Sequence, residues 1–252
     1  MTILWMPILN ASLDFRIKGV YMDLSKSYEF LQPEKVKERI HLIGCGSVGS
    51  TLAELLARAG FTKITLYDFD NVEAHNIANQ MFVHSDINTP KVEAVARRLI
   101  AINPLIETDL ILEPNGWTGQ KLSGYVFLAV DNIDLRRKIA EENFGNPFIK
   151  AMFDFRTRLT DAQHYAADWS DFKCKRAFVD TMNFSHEEAQ AETPMSACHV
   201  ELSMAATVWS VCIAGITNFI NFVKAKIDNQ PNSNTMHKLV LVNPFAHTSD
   251  AI

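Results

Sequence analysis

The chain has 252 residues, 48% of them hydrophobic and 21% charged, which is ordinary globular composition with length for one large domain. A formal charge of −5, with basic residues dispersed beyond short pairs such as Arg97-Arg98 and Arg136-Arg137, gives no global field for nucleic acid. Four widely spaced cysteines with no Cys-x-x-Cys support neither a zinc knuckle nor a small disulfide framework, and a reduced, cytoplasmic setting is expected.

Met1–Leu9 is apolar but lacks a basic start and is interrupted by Pro7, so it does not read as a signal peptide. Leu13–Met22 suits a strand or hairpin edge, and Pro33–Arg39 a short helix start. Residues 1–39 are read as an N-terminal extension and 40–252 as a nucleotide-binding domain. Ile40–Ile43 is a short buried strand. Val48–Ala59 is helical, with Val48, Leu52, Leu55, Leu56 and Ala59 on one stripe and Gly60 as terminator. Lys63–Tyr67 is a second strand. Pro90 is expected at the first position of a helix capped by Thr89 or Asn88. That helix runs to about Ile102 with Val92, Val95, Ala96, Leu99 and Ile100 inward, and Asn103-Pro104 stops it. Glu107–Leu112 and Tyr125–Val130 read as strands, Asp134–Phe144 as a helix and Phe148–Phe153 as a strand. Strand and helix alternate, which predicts an α/β fold: a Rossmann-like, doubly wound, mostly parallel sheet with helices on both faces.

Beyond Gln163–Ala166 the periodicity dissolves. Asp168–Ala197 is a long polar stretch, read as a crossover loop before a helix from about His199 to Lys224. Lys238–Val242 is a last strand. Leu202–Phe222 carries no charge and is long enough to span a bilayer, but it holds six Ser, Thr and Asn residues and lacks flanking charge bias. A core or dimer-interface helix is expected, and no membrane.

The motifs carry the chemistry. Gly44-Cys45-Gly46-Ser47-Val48-Gly49 stands between a strand and a helix. In that context Gly44 permits a tight turn, Gly46 lets backbone approach phosphate, and Gly49 lets helix pack on strand. The helix N-terminus then offers N–H groups and partial positive charge to an anion. Asp68, at the end of the second strand, is in position to accept ribose hydroxyls. Asn76, Asn79, Gln80 and Lys91 follow. A lysine at a helix start is misplaced for helix stability alone and points to a phosphate. Asp131 follows an apolar strand at its carboxyl end, where it can hold Mg²⁺ on triphosphate oxygens or cap the next helix.

Together these pieces resemble the MoeB/ThiF/HesA family, the adenylating fold shared with ubiquitin-activating enzymes. The resemblance is carried by Gly44-x-Gly46-x-x-Gly49, Asp68-Phe69-Asp70, Asn76-Ile77-x-x-Gln80, Pro90-Lys91, Ile102-Asn103-Pro104 and Asp131-Asn132 with Arg136. It implies ATP and Mg²⁺ as cofactors. It also implies adenylation of the C-terminal glycine of a ubiquitin-like or sulfur-carrier protein, followed in some members by transfer to a cysteine. Asp68 matches the ribose acid, Lys91 the phosphate-contacting lysine, Asp131 the magnesium aspartate and Asn76 the asparagine near the phosphates. A homodimer is the expected assembly.

Three departures accompany the resemblance. Asn79 stands where the family's Asn-Leu-x-Arg-Gln motif has arginine, and an amide cannot neutralise phosphate. Either Arg156 or Arg158 substitutes for it, or catalysis is weak. The N-terminal segment lacks the family's arginine-rich start, with Arg16 the nearest candidate, and the paired zinc cysteines are missing. For a thiol acceptor, Cys198 is favoured as the residue opening the last long helix beside His199, with Cys174 among Lys173, Lys175 and Arg176 as its rival. Cys212 reads as a packing residue, and Cys45 lies inside the glycine loop, where a small side chain suffices. Two other readings are kept: a non-catalytic scaffold partner of an active subunit, and an NAD-dependent dehydrogenase.

Overall fold

The structure is a computed structural model that describes residues 22–191, 202–229 and 236–252. Its strands are β1 (Ile40–Ile43), β2 (Ile64–Tyr67), β3 (Ile111–Glu113), β4 (Gly124–Leu128), β5 (Ile149–Thr157), β6 (Ala162–Asp168), β7 (Leu239–Asn243) and β8 (Thr248–Ala251). Its α-helices are α1 (Ser47–Arg58), α2 (Lys91–Ile102), α3 (Ile133–Glu142), α4 (Phe172–Asp180), α5 (His186–Ala191) and α6 (Ala205–Ile227). All eight strands form one sheet in the order β3-β2-β1-β4-β5-β6-β7-β8. The first five are mutually parallel; β6, β7 and β8 add antiparallel.

The apolar runs explain this arrangement. β1, β2 and β4 are buried at every position, as a strand covered on both faces must be. One face packs Leu42, Leu66 and Phe127 against Leu52 of α1, Val92 of α2 and Phe219 of α6. The other packs Ile43, Val126 and Met152 against Ile139 of α3 and Phe178 of α4. Helix α6 is long and apolar enough to cross a membrane, with a mean hydropathy of 1.5, yet 56% of that window is buried. It lies on α1, β5, β6 and β7 as a core helix, with Trp209 and Ile213 on its exposed side.

Several expectations need correction. Pro90 lies outside α2 as its cap residue, and neither Thr89 nor Asn88 caps the helix by a side chain. Asn103 does stop α2, but its side chain then accepts from Leu105 N–H and starts a 3₁₀ turn over Pro104–Thr108, so the expected strand shrinks to β3. The stretch read as a crossover loop contains α4 and α5. Helices of nine and six residues are shorter than the window in which an apolar period can be seen. α6 begins at Ala205, not His199, and ends where Asn229 turns left-handed at φ 51°. β8 has no sequence signal, because Thr-Ser-Asp-Ala is exposed at all four positions and has no apolar face. The strand expected at Leu13–Met22 and Cys198 itself fall outside the described residues, save for Met22.

Two buried histidines sit in complementary networks. His41 Nδ1 donates to the Tyr67 hydroxyl at 2.8 Å and its Nε2 accepts from Ser123 N–H at 3.4 Å. His164 Nδ1 donates to the Asp154 carbonyl at 3.2 Å and its Nε2 accepts from Asn218 Nδ2 at 3.1 Å. Each Nε2 faces a donor, so both rings are held neutral, and burial lowers each pKa from 6.5 to about 4. The unfolded chain therefore binds protons that the native state refuses. Stability is full above pH 6.5 and falls between pH 6.5 and about 4, by up to about 1.4 kcal/mol per pH unit per histidine. Urea midpoints measured across that window should show this slope, and His164→Asn should roughly halve it.

Candidate functional site

The sheet order reverses between β1 and β4, and ligands of open α/β sheets bind at such a switch point. An open cleft of about 1470 Å³ lies there. Its floor is the glycine loop. Gly44 takes φ 98°, and a Cβ on it would meet the Ala129 carbonyl oxygen at 2.6 Å. A Cβ on Gly49 would stand 1.8 Å from the Gly44 carbonyl oxygen. Both must be glycine for β1, α1 and the end of β4 to meet. Gly46 is different: nothing lies within 4 Å of its would-be Cβ, which opens on the cleft. Gly46 is also the cap residue of α1, with no side-chain cap and no acid in the first turn. The N–H groups of that turn are left for an anion.

Asp68 braces this loop. Its Oδ2 accepts from Cys45 N–H at 2.6 Å and its Oδ1 from Asp70 N–H at 2.8 Å. Burial raises its pKa, while the two backbone bonds and Lys91 pull it back down. Each oxygen keeps a lone pair toward the cleft. Lys91 lines the same cleft, but its place at the start of α2 has a protein explanation as well. Its ammonium lies 2.8 Å from Asp70 Oδ2, so a carboxylate of the second strand's loop offsets the helix-dipole penalty. Asn76, Asn79 and Gln80 also line the cleft. Asn76 is buried and its Oδ1 accepts from Glu73 N–H, closing the 3₁₀ turn Ala74–Ala78. Gln80 Oε1 is buried without a hydrogen-bond partner.

Asp131 stands just beyond β4, exposed at the cleft. The helix-cap alternative does not apply to it: Asn132 caps α3, accepting from Leu135 N–H at 2.9 Å. Asp134 pairs with Arg137 at 2.6 Å. Among the described residues no three His, Cys, Asp or Glu side chains gather as a metal site. A cation here would use Asp131 and the oxygens of its ligand, which is how Mg²⁺ binds with nucleotides.

What fixes Asp131 is not visible in the sequence. Arg136, which enters there only as part of a motif, is buried. Its Nε donates to the Val130 carbonyl at 2.7 Å, and its Nη1 to Asp154 Oδ1 and the Phe155 carbonyl, both at 2.5 Å. Asp154 is fully buried and also takes Arg156 Nε at 2.7 Å. Burial pushes its carboxyl up, but the two guanidinium groups outweigh it and hold the pKa below the usual value. Arg156 lines the cleft, stacked 4.3 Å over the Tyr165 ring and donating to Thr181 through both terminal nitrogens at 2.8 Å. Arg158 lines it too.

The thiols fare less well. Cys174 is half-buried in the first turn of α4, and burial together with Asp171 raises its pKa, opposite to the expected effect of its basic neighbours. Lys175 and Arg176 are engaged elsewhere, with the Phe144 carbonyl and Asp180. Cys212 is buried, as expected, and so is Cys45. α6 starts at Ala205, and Cys198 lies outside the described residues.

Comparison with known proteins agrees with this geometry. A model of the ThiF family matches residues 31–249. Ubiquitin-like modifier-activating enzyme 5 of Drosophila persimilis is 34% identical over 115 residues, 46% of this chain and 26% of that protein. The Drosophila mojavensis counterpart is 35% identical over 96 residues, 38% of this chain and 22% of its own length. The matched segment thus spans about a quarter of these relatives. Among solved structures, Escherichia coli MccB with MccA-N7isoASN superposes with a TM-score of 0.67 at 14% identity, covering 87% of this chain and 66% of that one. PaaA superposes at 0.60 with 15% identity, covering 87% and 65%. Both are likenesses of fold.

The loop geometry separates two glycines that look equivalent in sequence. Gly49→Ala should destabilise the protein by about 1–3 kcal/mol or more through the collision with Gly44. Gly46→Ala should change stability by less than about 0.5 kcal/mol. Thermal unfolding of the two variants checks the contrast.

Proposed function

The chain belongs to the ThiF family, and from that premise we propose that it adenylates the C-terminal glycine of a ubiquitin-like or sulfur-carrier protein with ATP. One observation carries the proposal. Asp131, relieved of capping by Asn132 and pinned through Arg136, shares a single cleft with the bare N-terminus of α1, Asp68 and Lys91. A triphosphate needs all four: N–H donors, a ribose acceptor, a cation, and a carboxylate for its metal. A solved structure of the same fold, Escherichia coli MccB with ATP, supports the choice of nucleotide.

Adenylation is an in-line displacement. The carrier's terminal carboxylate oxygen attacks the α-phosphorus, the bond to the β-phosphate oxygen breaks, and pyrophosphate leaves. Such a step needs charge neutralisation and alignment more than covalent help. The α1 N-terminus and Gly46 hold phosphate oxygens, Asp68 holds the ribose, and Lys91, steadied by Asp70, faces the phosphates. Asp131 would hold Mg²⁺, which would supply charge neutralisation for the pyrophosphate. Arg156 takes the part of the arginine replaced by Asn79: Asp154 and Tyr165 keep its guanidinium at the cleft, in reach of the incoming carboxylate. The same proposal includes a homodimer through the exposed side of α6, a cytoplasmic setting in which Cys45, Cys174 and Cys212 stay reduced, and transfer to Cys198 as a later step.

Pyrophosphate–ATP exchange tests the chemistry. The protein should exchange labelled pyrophosphate only with a diglycine-ended carrier and Mg²⁺ present, and EDTA should stop it. Lys91→Ala and Asp131→Ala should each lower exchange about 10²–10³-fold. Full activity in both would overturn the site. ATP binding without exchange would favour the scaffold reading. Cys198→Ser should keep exchange and lose any reducible carrier adduct; an undiminished adduct moves the thiol to Cys174.

A further inference from the structure

The stretch after α4 is tied down at points its sequence does not advertise. Ser185 N–H donates to Glu188 Oε2 at 2.7 Å, and Glu188 N–H donates to Ser185 Oγ at 3.1 Å. This capping box starts α5, but a helix of six residues does not hold itself in water. Its support comes from α3, on which it packs. Arg137 Nη1 donates to the Met182 carbonyl at 3.1 Å and to the Phe184 carbonyl at 3.4 Å, and its Nη2 to Asp134 Oδ1 at 2.6 Å. The other oxygen of Asp134 accepts from His186 N–H at 3.3 Å. One guanidinium and one carboxylate on α3 thus hold the chain at residues 182, 184 and 186.

The same stretch grips Arg156. Thr181 takes both terminal nitrogens of that guanidinium, and the Phe184 ring centre lies 5.7 Å from its central carbon. Thr181, Phe184, His186 and Glu188 line the cleft as a wall beside Arg156, whereas Arg137 is not among its lining residues. The helix that carries the ties also carries the other side of the site, because α3 begins two residues after Asp131. At about 1470 Å³ the cleft exceeds the roughly 300–1,000 Å³ of a small-molecule site, which leaves room for a second substrate along this wall.

We propose that Arg137 is a positioning residue for adenylation. By holding residues 182–186 on α3, it sets the wall and Arg156 in fixed register with Asp131, and so places the carboxylate of the incoming carrier. The inference rests on the reading given above and adds a residue that acts through others. Arginine suits the task, because its planar fork reaches several acceptors at once, as a single ammonium on a flexible stem does not.

The test compares the wild type with Arg137→Ala and Arg137→Lys. Asp134→Ala cuts the same tie from its other end, and Arg176→Ala, which removes an exposed pair with Asp180 on α4, is the control. ATP·Mg²⁺ binding is measured by calorimetry, pyrophosphate exchange against the concentration of a synthetic peptide ending in Gly-Gly, and mobility of the wall by amide hydrogen exchange. The wild type should bind ATP and exchange pyrophosphate once the peptide is present. Arg137→Ala and Asp134→Ala should keep the ATP Kd within about twofold and lower kcat/KM for the peptide about 10²-fold, the effect of a displacement near 1 Å. Amide exchange should quicken in residues 186–191 and not in the core strands. Lys should restore the peptide kinetics only in part, and Arg176→Ala should match the wild type. Unchanged peptide kinetics in Arg137→Ala, full recovery by Lys, or an ATP Kd that rises as far as kcat/KM falls would overturn the positioning role, the last by marking Arg137 as merely structural. ATP binding without exchange in the wild type would overturn the carrier reading and this role with it. No ATP binding would overturn the nucleotide site itself and both readings built on it.

Discussion

A carboxylate with no contact to solvent, Asp154, holds the working end of this sheet together. It sits on β5, takes Arg136 from α3 on one oxygen and Arg156 from its own strand on the other. Such a charge is costly to bury alone, and removing one partner of a buried pair typically costs about 3–5 kcal/mol. Here two cations share it, and each has a second task. Arg136 fastens the Val130 carbonyl and so fixes the chain as it leaves β4 toward Asp131. Arg156 reaches outward, sealed by Tyr165 and Thr181, and presents charge at the cleft. The acid in front and the base beside it are therefore positioned by one buried group that touches neither solvent nor ligand.

On the other side of the switch point the constraint is steric. Gly44 and Gly49 approach until no Cβ fits, and Asp68 clamps the Cys45 amide from β2. Asp68 thereby ties the glycine loop and the end of β2 into one unit, which sets the helix N-terminus and the carboxylate at a fixed distance. Lys91 is tied in by Asp70. Paired charges of this kind stay in place, and a pre-positioned cation loses little on binding.

Much of this is legible in the chain because it is local. A strand, a glycine loop, an amphipathic helix and an acid after the next strand fall within about thirty residues, and their order alone locates the glycine-loop end of the cleft. Asp131 is legible for the same reason. What stays hidden depends on contacts distant in sequence. Asp154 reads as one acid in an apolar strand until Arg136, eighteen positions earlier, folds against it. Lys91 reads as needing a phosphate because nothing in the sequence pairs it with Asp70, 21 positions away. α4 and α5 are too short to declare a period, and the polar β8 shows no apolar face because it closes the edge of the sheet.

Cost is distributed unevenly over this molecule. In the core, His41, His164 and Asn218 all find partners, and the neutral rings are arranged so that no donor faces another. Three buried side-chain atoms among the described residues have none: Gln80 Oε1, His186 Nδ1 and Ser203 Oγ. An unsatisfied buried polar atom costs about 1–3 kcal/mol. All three belong to residues that line the cleft at the switch point. Gln80 follows the 3₁₀ turn Ala74–Ala78; His186 and Ser203 lie on the short helix α5 and just before α6. A fold that satisfies its interior so fully would gain by satisfying these as well. That it leaves them bare on one and the same cleft marks this surface, rather than the core, as the place where a bound group would find unused hydrogen-bonding capacity.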